Sequence, residues 1–167
     1  MTDPDETENP PSPLDPQVRI GHVHLKVADL ERALGFYQGV LGLEVMQRVG
    51  GSAAFLSAGG YHHHLGLNTW ESLGGQPPPF GSTGLYHVAL LYPTRAALAG
   101  ALRRLGAAGI PIEGASDHGV SEALYLRDPD GNGVELYWDK PRELWPRTTD
   151  GELAMYTRGL DLESLLH

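Results

Sequence analysis

Residues 21–27, Gly-His-Val-His-Leu-Lys-Val, contain the pattern from which the fold can be predicted. Apolar and polar side chains alternate along this stretch, which is typical of a β-strand with one buried face. Because successive side chains of a strand point to opposite faces, the valines and the leucine should pack in the core, while His22 and His24 face the other way. The stretch therefore predicts a first strand that carries histidines on its open face.

A helix and three further strands are predicted after this first strand. Asp29 is a suitable N-cap, and apolar residues recur at helical spacing up to Leu41, where Gly42 fits a C-terminal cap. Gly-Gly pairs then separate three short apolar runs, which predict strands joined by hairpin turns. These runs span residues 43–49, 53–56 and 62–68. The order is therefore βαβββ, within a first module at residues 19–75.

The same order of elements repeats after a proline-rich linker at residues 76–84. Residues 86–92, Tyr-His-Val-Ala-Leu-Leu-Tyr, superpose on the first strand with an offset of 65 residues, so His87 matches His22. A helix at 94–108 and strands near 110–113, 123–127 and 134–138 complete the repeat. We predict an α+β fold in which two tandem βαβββ modules, 19–75 and 84–139, form a curved mixed sheet around a metal-binding cavity, with the helices outside.

Both ends of the chain lie outside the predicted domain, which spans residues 18–146. Residues 1–17 hold five acidic residues and five prolines but no lysine or arginine, a composition typical of a disordered tail. Residues 147–167 are a C-terminal extension. Pro141, Trp145 and Pro146 predict an extended strap that leads into it, and we expect a short helix at residues 160–167 that begins near Asp161.

The composition excludes several classes of function. The chain of 167 residues has no cysteine, which rules out disulfides, thiolate metal sites and a cysteine nucleophile. Its net charge of −9 argues against binding to nucleic acid, which needs a basic face. We expect no membrane-spanning segment and no signal peptide, and therefore a soluble, cytoplasmic protein.

Strand parity brings histidines and a carboxylate to the concave face of the predicted sheet. His22 and His87 start equivalent strands, and Glu135 faces inward from the last strand. Two imidazoles and one carboxylate on one face are the ligand set of Fe(II) oxygenases, and Mn(II) and Zn(II) accept the same donors. The inward set also contains His24, His62, His64, Tyr125 and Tyr137.

One stretch of the second module narrows the interpretation. Residues 117–135 read Asp-His-Gly-Val-Ser-Glu-Ala-Leu-Tyr-Leu-Arg-Asp-Pro-Asp-Gly-Asn-Gly-Val-Glu. The spacing of His118, Tyr125 and Glu135 resembles the ring-cleavage signature of extradiol dioxygenases, except that Ser116 replaces the usual first residue. The repeated module resembles the vicinal oxygen chelate superfamily, which includes glyoxalase I, fosfomycin-resistance proteins, bleomycin-binding proteins and extradiol dioxygenases. Since the larger extradiol enzymes have four modules, the chain is most similar to small one-domain catechol 2,3-dioxygenase-like proteins.

The resemblance implies Fe(II)-dependent cleavage of a catechol-type aromatic diol by O2. It implies that His22, His87 and Glu135 hold the metal, with Mn(II), Ni(II) or Zn(II) as alternatives to iron. The partners would be the small diol and O2, without nucleic acid or membrane. The oligomeric state stays open, with a homodimer among the alternatives.

The resemblance also implies a catalytic histidine. The His-His pair at residues 62–63 matches a pair in the extradiol pattern, and His62 would be the acid/base residue that takes a proton from the substrate. An alignment of residues 60–62 with 133–135 places His62 opposite Glu135 in the repeat.

Other inward residues would contact the substrate. Tyr125 and His118 would hydrogen-bond the metal-bound substrate oxygen, as the resemblance implies. His24, His64 and Tyr137 would line the substrate pocket, which follows from strand parity alone.

Three alternative functions stay open. A glyoxalase- or epimerase-like isomerase would use a second carboxylate as ligand and base, where this chain has His62. A fosfomycin-resistance-like transferase shares the set of two histidines and one glutamate, but it does not need the spacing of His118 and Tyr125. A non-catalytic protein that binds an aromatic drug would need no ligand triad at all.

Overall fold

The computed structural model describes residues 12–167 of the chain. Of the predicted tail at residues 1–17, residues 1–11 lie outside the described part. Residues 12–17 are exposed and lack helix and strand. They contain one turn, in which Val18 N donates a hydrogen bond to Asp15 O at 2.9 Å.

Module one has the predicted order of one strand, one helix and three strands. They are β1 (Val23–Lys26), α1 (Leu30–Leu34), which continues as a π-helical segment (Gly35–Val40), β2 (Glu44–Val49), β3 (Ala53–Ser57) and β4 (Leu65–Asn68). Asp29 caps α1 as predicted, because its side chain accepts a hydrogen bond from Arg32 N at 3.0 Å. The strands form one sheet in the order β1-β4-β3-β2, with β1 and β4 parallel.

Module two repeats this topology, which confirms the predicted repeat. Its elements are β5 (Val88–Leu91), α2 (Arg95–Ala107), β6 (Gly114–Asp117), β7 (Ser121–Arg127) and β8 (Gly133–Asp139). Thr94 caps α2 by accepting a hydrogen bond from Ala97 N at 3.1 Å. The sheet runs β5-β8-β7-β6 with β5 and β8 parallel, so β5 occupies the place that β1 has in module one.

Each module forms a sheet of its own. The predicted curved sheet is therefore two sheets, and the break lies between β1 and β5. Both strands stand at the end of their sheets. A cavity of about 740 Å³ is lined by residues of both strands. The α+β class and the two βαβββ modules are as predicted, and the inner ends of the two sheets meet at this cavity.

Two strands differ in their bounds from the prediction. β4 begins at Leu65 instead of residue 62, because residues 59–64 form a turn and an irregular loop in which no residue is fully buried. β6 spans Gly114–Asp117 instead of 110–113. Ile110 N still donates a hydrogen bond to Leu105 O at the end of α2, at 2.9 Å. The chain therefore joins the sheet later than its apolar pattern suggests.

The two modules share one hydrophobic core and a set of polar contacts. The buried Tyr37 of module one donates a hydrogen bond to Asp128 Oδ2 of module two, at 2.9 Å. Asp130 Oδ1 accepts hydrogen bonds from Ala28 N at 2.9 Å and from Arg32 at 2.7 Å. The turn between β7 and β8 is therefore fixed against the helix of the other module.

The C-terminal extension returns to module two. A 3-10 helix (Arg142–Leu144) precedes it, and the extension contains a short strand β9 (Arg158–Gly159) and α3 (Leu162–Leu166). The helix begins after Asp161, as predicted, while β9, which pairs with β6, was not predicted. No helix among residues 12–167 is long and apolar enough to cross a membrane.

Candidate functional site

The strand register of module two places the predicted residues on one face. Tyr125 of β7 stands opposite Glu135 of β8, and Ala123 stands opposite Tyr137. The intervening residues of both strands, Leu124 and Leu126, Val134 and Leu136, are buried in the core. The alternation that parity predicted for β7 and β8 is therefore confirmed, and the polar side chains share the face away from α2.

His87 and Glu135, two of the three residues predicted to hold a metal, lie side by side. His87 Nε2 is 2.9 Å from Glu135 Oε2, and the Glu135 side chain is only 12% exposed. Two donors that bind one ion at about 2.1 Å and at right angles would stand about 3 Å apart, so this pair has a suitable spacing. His87 Nδ1 is buried without a hydrogen-bond partner among the described residues. Nε2, the nitrogen that faces the carboxylate, is the atom through which His87 could share a cation with Glu135.

Tyr125 and His118 extend this pair into a chain of hydrogen bonds. The Tyr125 hydroxyl lies 3.2 Å from Glu135 Oε1 and 2.6 Å from His118 Nε2. Burial, followed by the negative charge of Glu135, raises the pKa of Tyr125 to about 12. The hydroxyl therefore keeps its proton at neutral pH and can share it with either neighbour.

His22 belongs to the opposite side of the cavity. It is exposed and precedes β1, and both His22 and His87 line the cavity of about 740 Å³. Within residues 12–167, no three histidine or acidic side chains stand close enough together to hold a metal ion as they are. The structure thus brings together two of the three predicted ligands, and the role of His22 stays a prediction.

His63, which strand parity left unassigned, is the loop histidine whose ring contacts the His22 ring. The two ring centroids are 4.4 Å apart, and His63 also contacts Phe55 at 5.1 Å. His62 Nδ1 lies 2.8 Å from His63 Nδ1, with the His62 ring against Tyr61. Parity missed His63 because it treated the irregular loop before β4 as part of the strand. The adjacent histidines at residues 62–63 were the sequence signal from which a role for His63 could have been predicted.

The register also corrects the alignment of the two modules at β4. Val23 pairs with Leu65 in module one, and Val88 pairs with Val134 in module two. Since Val23 and Val88 are equivalent, Gly66 is the counterpart of Glu135. The predicted match of His62 with Glu135 is therefore wrong by four residues, because β4 starts later than the alignment assumed.

His24 lies across Gly66 and does not reach the shared cavity. A Cβ atom on Gly66 would stand only 2.8 Å from the His24 ring. The ring is held there by Asn68, whose Nδ2 lies 2.9 Å from His24 Nε2. Of the three predicted pocket residues, His24 is absent from the cavity lining, whereas His64 and Tyr137 are part of it. His64 Nδ1 forms a hydrogen bond with Ser57 Oγ at 3.1 Å.

Comparison with known sequences identifies the family. A model of the glyoxalase/bleomycin resistance protein/dioxygenase superfamily matches residues 19–136. The chain is 46% identical over 147 residues to a catechol-2,3-dioxygenase of Bacillus subtilis (strain 168), which covers 88% of this chain and 50% of that protein. It is 35% identical over 122 residues to biphenyl-2,3-diol 1,2-dioxygenase 3 of Rhodococcus globerulus, covering 72% of this chain and 63% of that protein. The chain therefore spans about half to two thirds of the length of these relatives.

Solved structures agree at the level of the fold. A glyoxalase/dioxygenase from Nostoc punctiforme superposes with a TM-score of 0.63 at 23% identity, covering 80% of this chain and 100% of that one. A lactoylglutathione lyase from Agrobacterium tumefaciens gives a TM-score of 0.58 at 27% identity, covering 74% of this chain and 96% of that one. The sequence match and the paired βαβββ modules lead to one conclusion: the chain belongs to the glyoxalase/bleomycin resistance protein/dioxygenase, or vicinal oxygen chelate, superfamily.

Proposed function

We propose that the protein is an extradiol dioxygenase that uses Fe(II) and O2 to cleave the ring of a catechol-type aromatic diol. The observation that carries the proposal is the hydrogen-bonded chain from His118 through Tyr125 to Glu135, next to His87. The relatives named as dioxygenases of aromatic diols support the same activity. A small aromatic diol and O2 are the proposed substrates.

His87 and Glu135 would hold the metal together with His22 from the opposite wall of the cavity. When bound, a divalent metal orients the two diol oxygens and O2 and carries electron density between them. Three protein donors leave coordination positions free for both reactants. Gly66 supports this ligand count, because the module-one counterpart of Glu135 has no donor side chain. A second carboxylate, which an isomerase would use, is missing from that position.

Tyr125 and His118 would hold a substrate oxygen and its proton. Because the pKa of Tyr125 is raised to about 12, its hydroxyl remains a hydrogen-bond donor toward an ionised diol oxygen. His118 Nε2, at 2.6 Å from that hydroxyl, can accept or return a proton through Tyr125. Imidazole is suited to this exchange because its ordinary pKa lies near neutral pH.

The experiment that tests the proposal uses the full chain loaded with Fe(II) under anaerobic conditions. Addition of O2 and a 3- or 4-substituted catechol should give a yellow ring-fission product, followed by its absorbance. Protein prepared without metal should give none, and the product should rise in proportion to the bound iron. If iron-loaded protein turns over no member of a catechol panel, the proposed function is wrong.

We expect the loop histidines to differ in their importance. Both His62 and His63 are candidates for the acid/base residue, and the contact with His22 favours His63. The substitution His63→Phe should leave iron content unchanged and lower turnover by about 10²- to 10⁴-fold, the usual contribution of acid–base catalysis. His62→Phe is the matched variant and should lose less activity. If His62→Phe lost more turnover than His63→Phe, the acid/base role would be assigned to His62 instead.

A further inference from the structure

The C-terminal extension passes directly over the loop that carries His118. Tyr156 N donates a hydrogen bond to His118 O at 3.2 Å. Just after it, β9 pairs with β6, with Arg158 opposite Asp117 and Gly159 opposite Ser116. The extension therefore adds an outer strand to the sheet that holds the candidate site.

Both sides of this contact are anchored. The positive φ of Gly119 (79°) and its lack of a side chain let the extension approach, since a Cβ atom there would lie 2.7 Å from the Tyr156 ring and 2.8 Å from Pro146. Beyond β9, the buried Leu165 of α3 packs into the common core. Arg95 of α2 also donates a hydrogen bond to Ser164 O at 2.7 Å. The segment from Pro146 to α3 is thus held in place on module two.

Two oxygen atoms of the extension face the outer nitrogen of His118. His118 Nδ1 lies 3.2 Å from Tyr156 O and 3.1 Å from Thr157 Oγ1. A carbonyl oxygen can only accept a hydrogen bond, while a hydroxyl can donate or accept. The contact with Tyr156 O therefore requires the proton on Nδ1, and Thr157 can accept from the same N–H.

A proton on Nδ1 leaves Nε2 of the neutral ring as an acceptor. Nε2 lies 2.6 Å from the Tyr125 hydroxyl, which is also 3.2 Å from Glu135 Oε1. The tyrosine has one proton and two acceptors in reach, and the shorter contact is with His118. By fixing the proton on Nδ1, the oxygens of the extension favour a hydrogen bond from the Tyr125 hydroxyl to His118 Nε2 over one to Glu135 Oε1.

We infer that the C-terminal extension is a working part of the candidate site. The Tyr156 carbonyl and the Thr157 hydroxyl are positioning groups that fix His118 as the Nδ1–H tautomer. Nε2 is then left as the acceptor that faces the Tyr125 hydroxyl, at 2.6 Å. The catalytic meaning of this tautomer rests on the proposed function, whereas the tautomer itself is a property of the fold.

The first test measures the tautomer in the full wild-type chain. Proton–nitrogen correlation spectra of ¹⁵N-labelled protein, with and without diamagnetic Zn(II), distinguish a protonated from a bare ring nitrogen, and His118→Gln identifies the signals. At a pH where the ring is neutral, Nδ1 of His118 should be protonated and Nε2 bare. Finding the proton on Nε2 would overturn the inference.

The second test separates positioning from general structure. Thr157→Val removes one acceptor of the Nδ1 proton, so the Nδ1–H signal should weaken and catechol turnover by iron-loaded protein should fall about five- to tenfold, as for the loss of one hydrogen bond. Thr157→Ser should restore both. Thr148→Val is the matched control, because the Thr148 hydroxyl accepts a hydrogen bond from Glu152 N within the extension; it should change neither.

The outcomes distinguish this inference from the proposed function. If the wild-type chain turns over no catechol, the proposed function fails, while the nitrogen spectra still decide the tautomer. If Thr157→Val keeps the wild-type spectrum and full turnover, or if Thr148→Val and Thr157→Val lose activity equally, the positioning role is refuted.

Discussion

Replacing Glu135 by alanine is expected to abolish stoichiometric iron binding and to lower catechol turnover by roughly a thousandfold or more. Glu135 is the carboxylate that faces His87 at 2.9 Å, and its side chain is largely removed from solvent. The substitution removes the one anionic donor of the proposed ligand set, and it removes the acceptor at 3.2 Å from the Tyr125 hydroxyl. A metal contributes several kcal/mol of charge stabilisation in such reactions, and each ~1.4 kcal/mol is tenfold in rate.

The measurement is iron content per chain after desalting, together with the rate of product formation. Glu152→Ala is a suitable control, since Glu152 is exposed in the C-terminal extension; iron content and rate should stay at the wild-type level. A chemical denaturation curve of each variant shows whether the fold is intact. Unchanged iron binding by a folded Glu135→Ala variant would refute the assignment of Glu135 as a ligand.

The module-two site could be predicted because its signals are local and periodic. The alternation along β7 and β8 assigns Tyr125 and Glu135 to one face and Leu124 and Leu136 to the core, and the strand register agrees. The repeat of His22 at His87 places equivalent residues just before equivalent strands. Such rules need only the two-residue period of a strand and the twofold order of the elements.

The module-one side could not be predicted in the same way. Between Gly59 and Leu65 the chain offers no apolar alternation, so the start of β4 depends on pairing with the distant β1. The contact of His63 with His22 follows from loop geometry, which strand parity does not describe. β9 has only two residues, Arg158 and Gly159, and its pairing with β6 is a tertiary contact without a sequence pattern of its own.

The second large effect is expected for Asp128→Ala, and it concerns stability. Asp128 is 5% exposed and accepts four hydrogen bonds: from the Tyr37 hydroxyl at 2.9 Å, from Asp130 N at 2.9 Å, and from Asn132 N and Nδ2 at 2.8 and 2.9 Å. Alanine leaves these donors without their acceptor, and Tyr37 is fully buried. Each buried donor left unsatisfied costs about 1–3 kcal/mol. Because Asn132 is only partly buried and its side-chain amide can turn toward water, we expect the free energy of unfolding to fall by roughly 3–5 kcal/mol.

Urea denaturation measures this loss, and two variants bracket it. Tyr37→Phe removes one donor and leaves the other three bonds of Asp128, so it should cost only about 1–2 kcal/mol. Asp150→Ala, in an exposed turn of the C-terminal extension, should change the free energy of unfolding by less than about 0.5 kcal/mol. Equal losses for Asp128→Ala and Tyr37→Phe would mean that the bonds within the turn contribute nothing.

The same variant tests whether the contact between modules sets the spacing of the metal ligands. Tyr37 belongs to module one with His22, whereas Asp128 precedes β8, which carries Glu135. If this contact fixes one wall of the cavity relative to the other, Asp128→Ala should weaken iron binding under conditions where it remains folded, although Asp128 donates nothing to the metal. Tyr37→Phe should weaken iron binding in the same direction by a smaller factor. Iron affinity at the wild-type level in both folded variants would show that the contact of Tyr37 with Asp128 is not needed to hold His22 in place relative to His87 and Glu135.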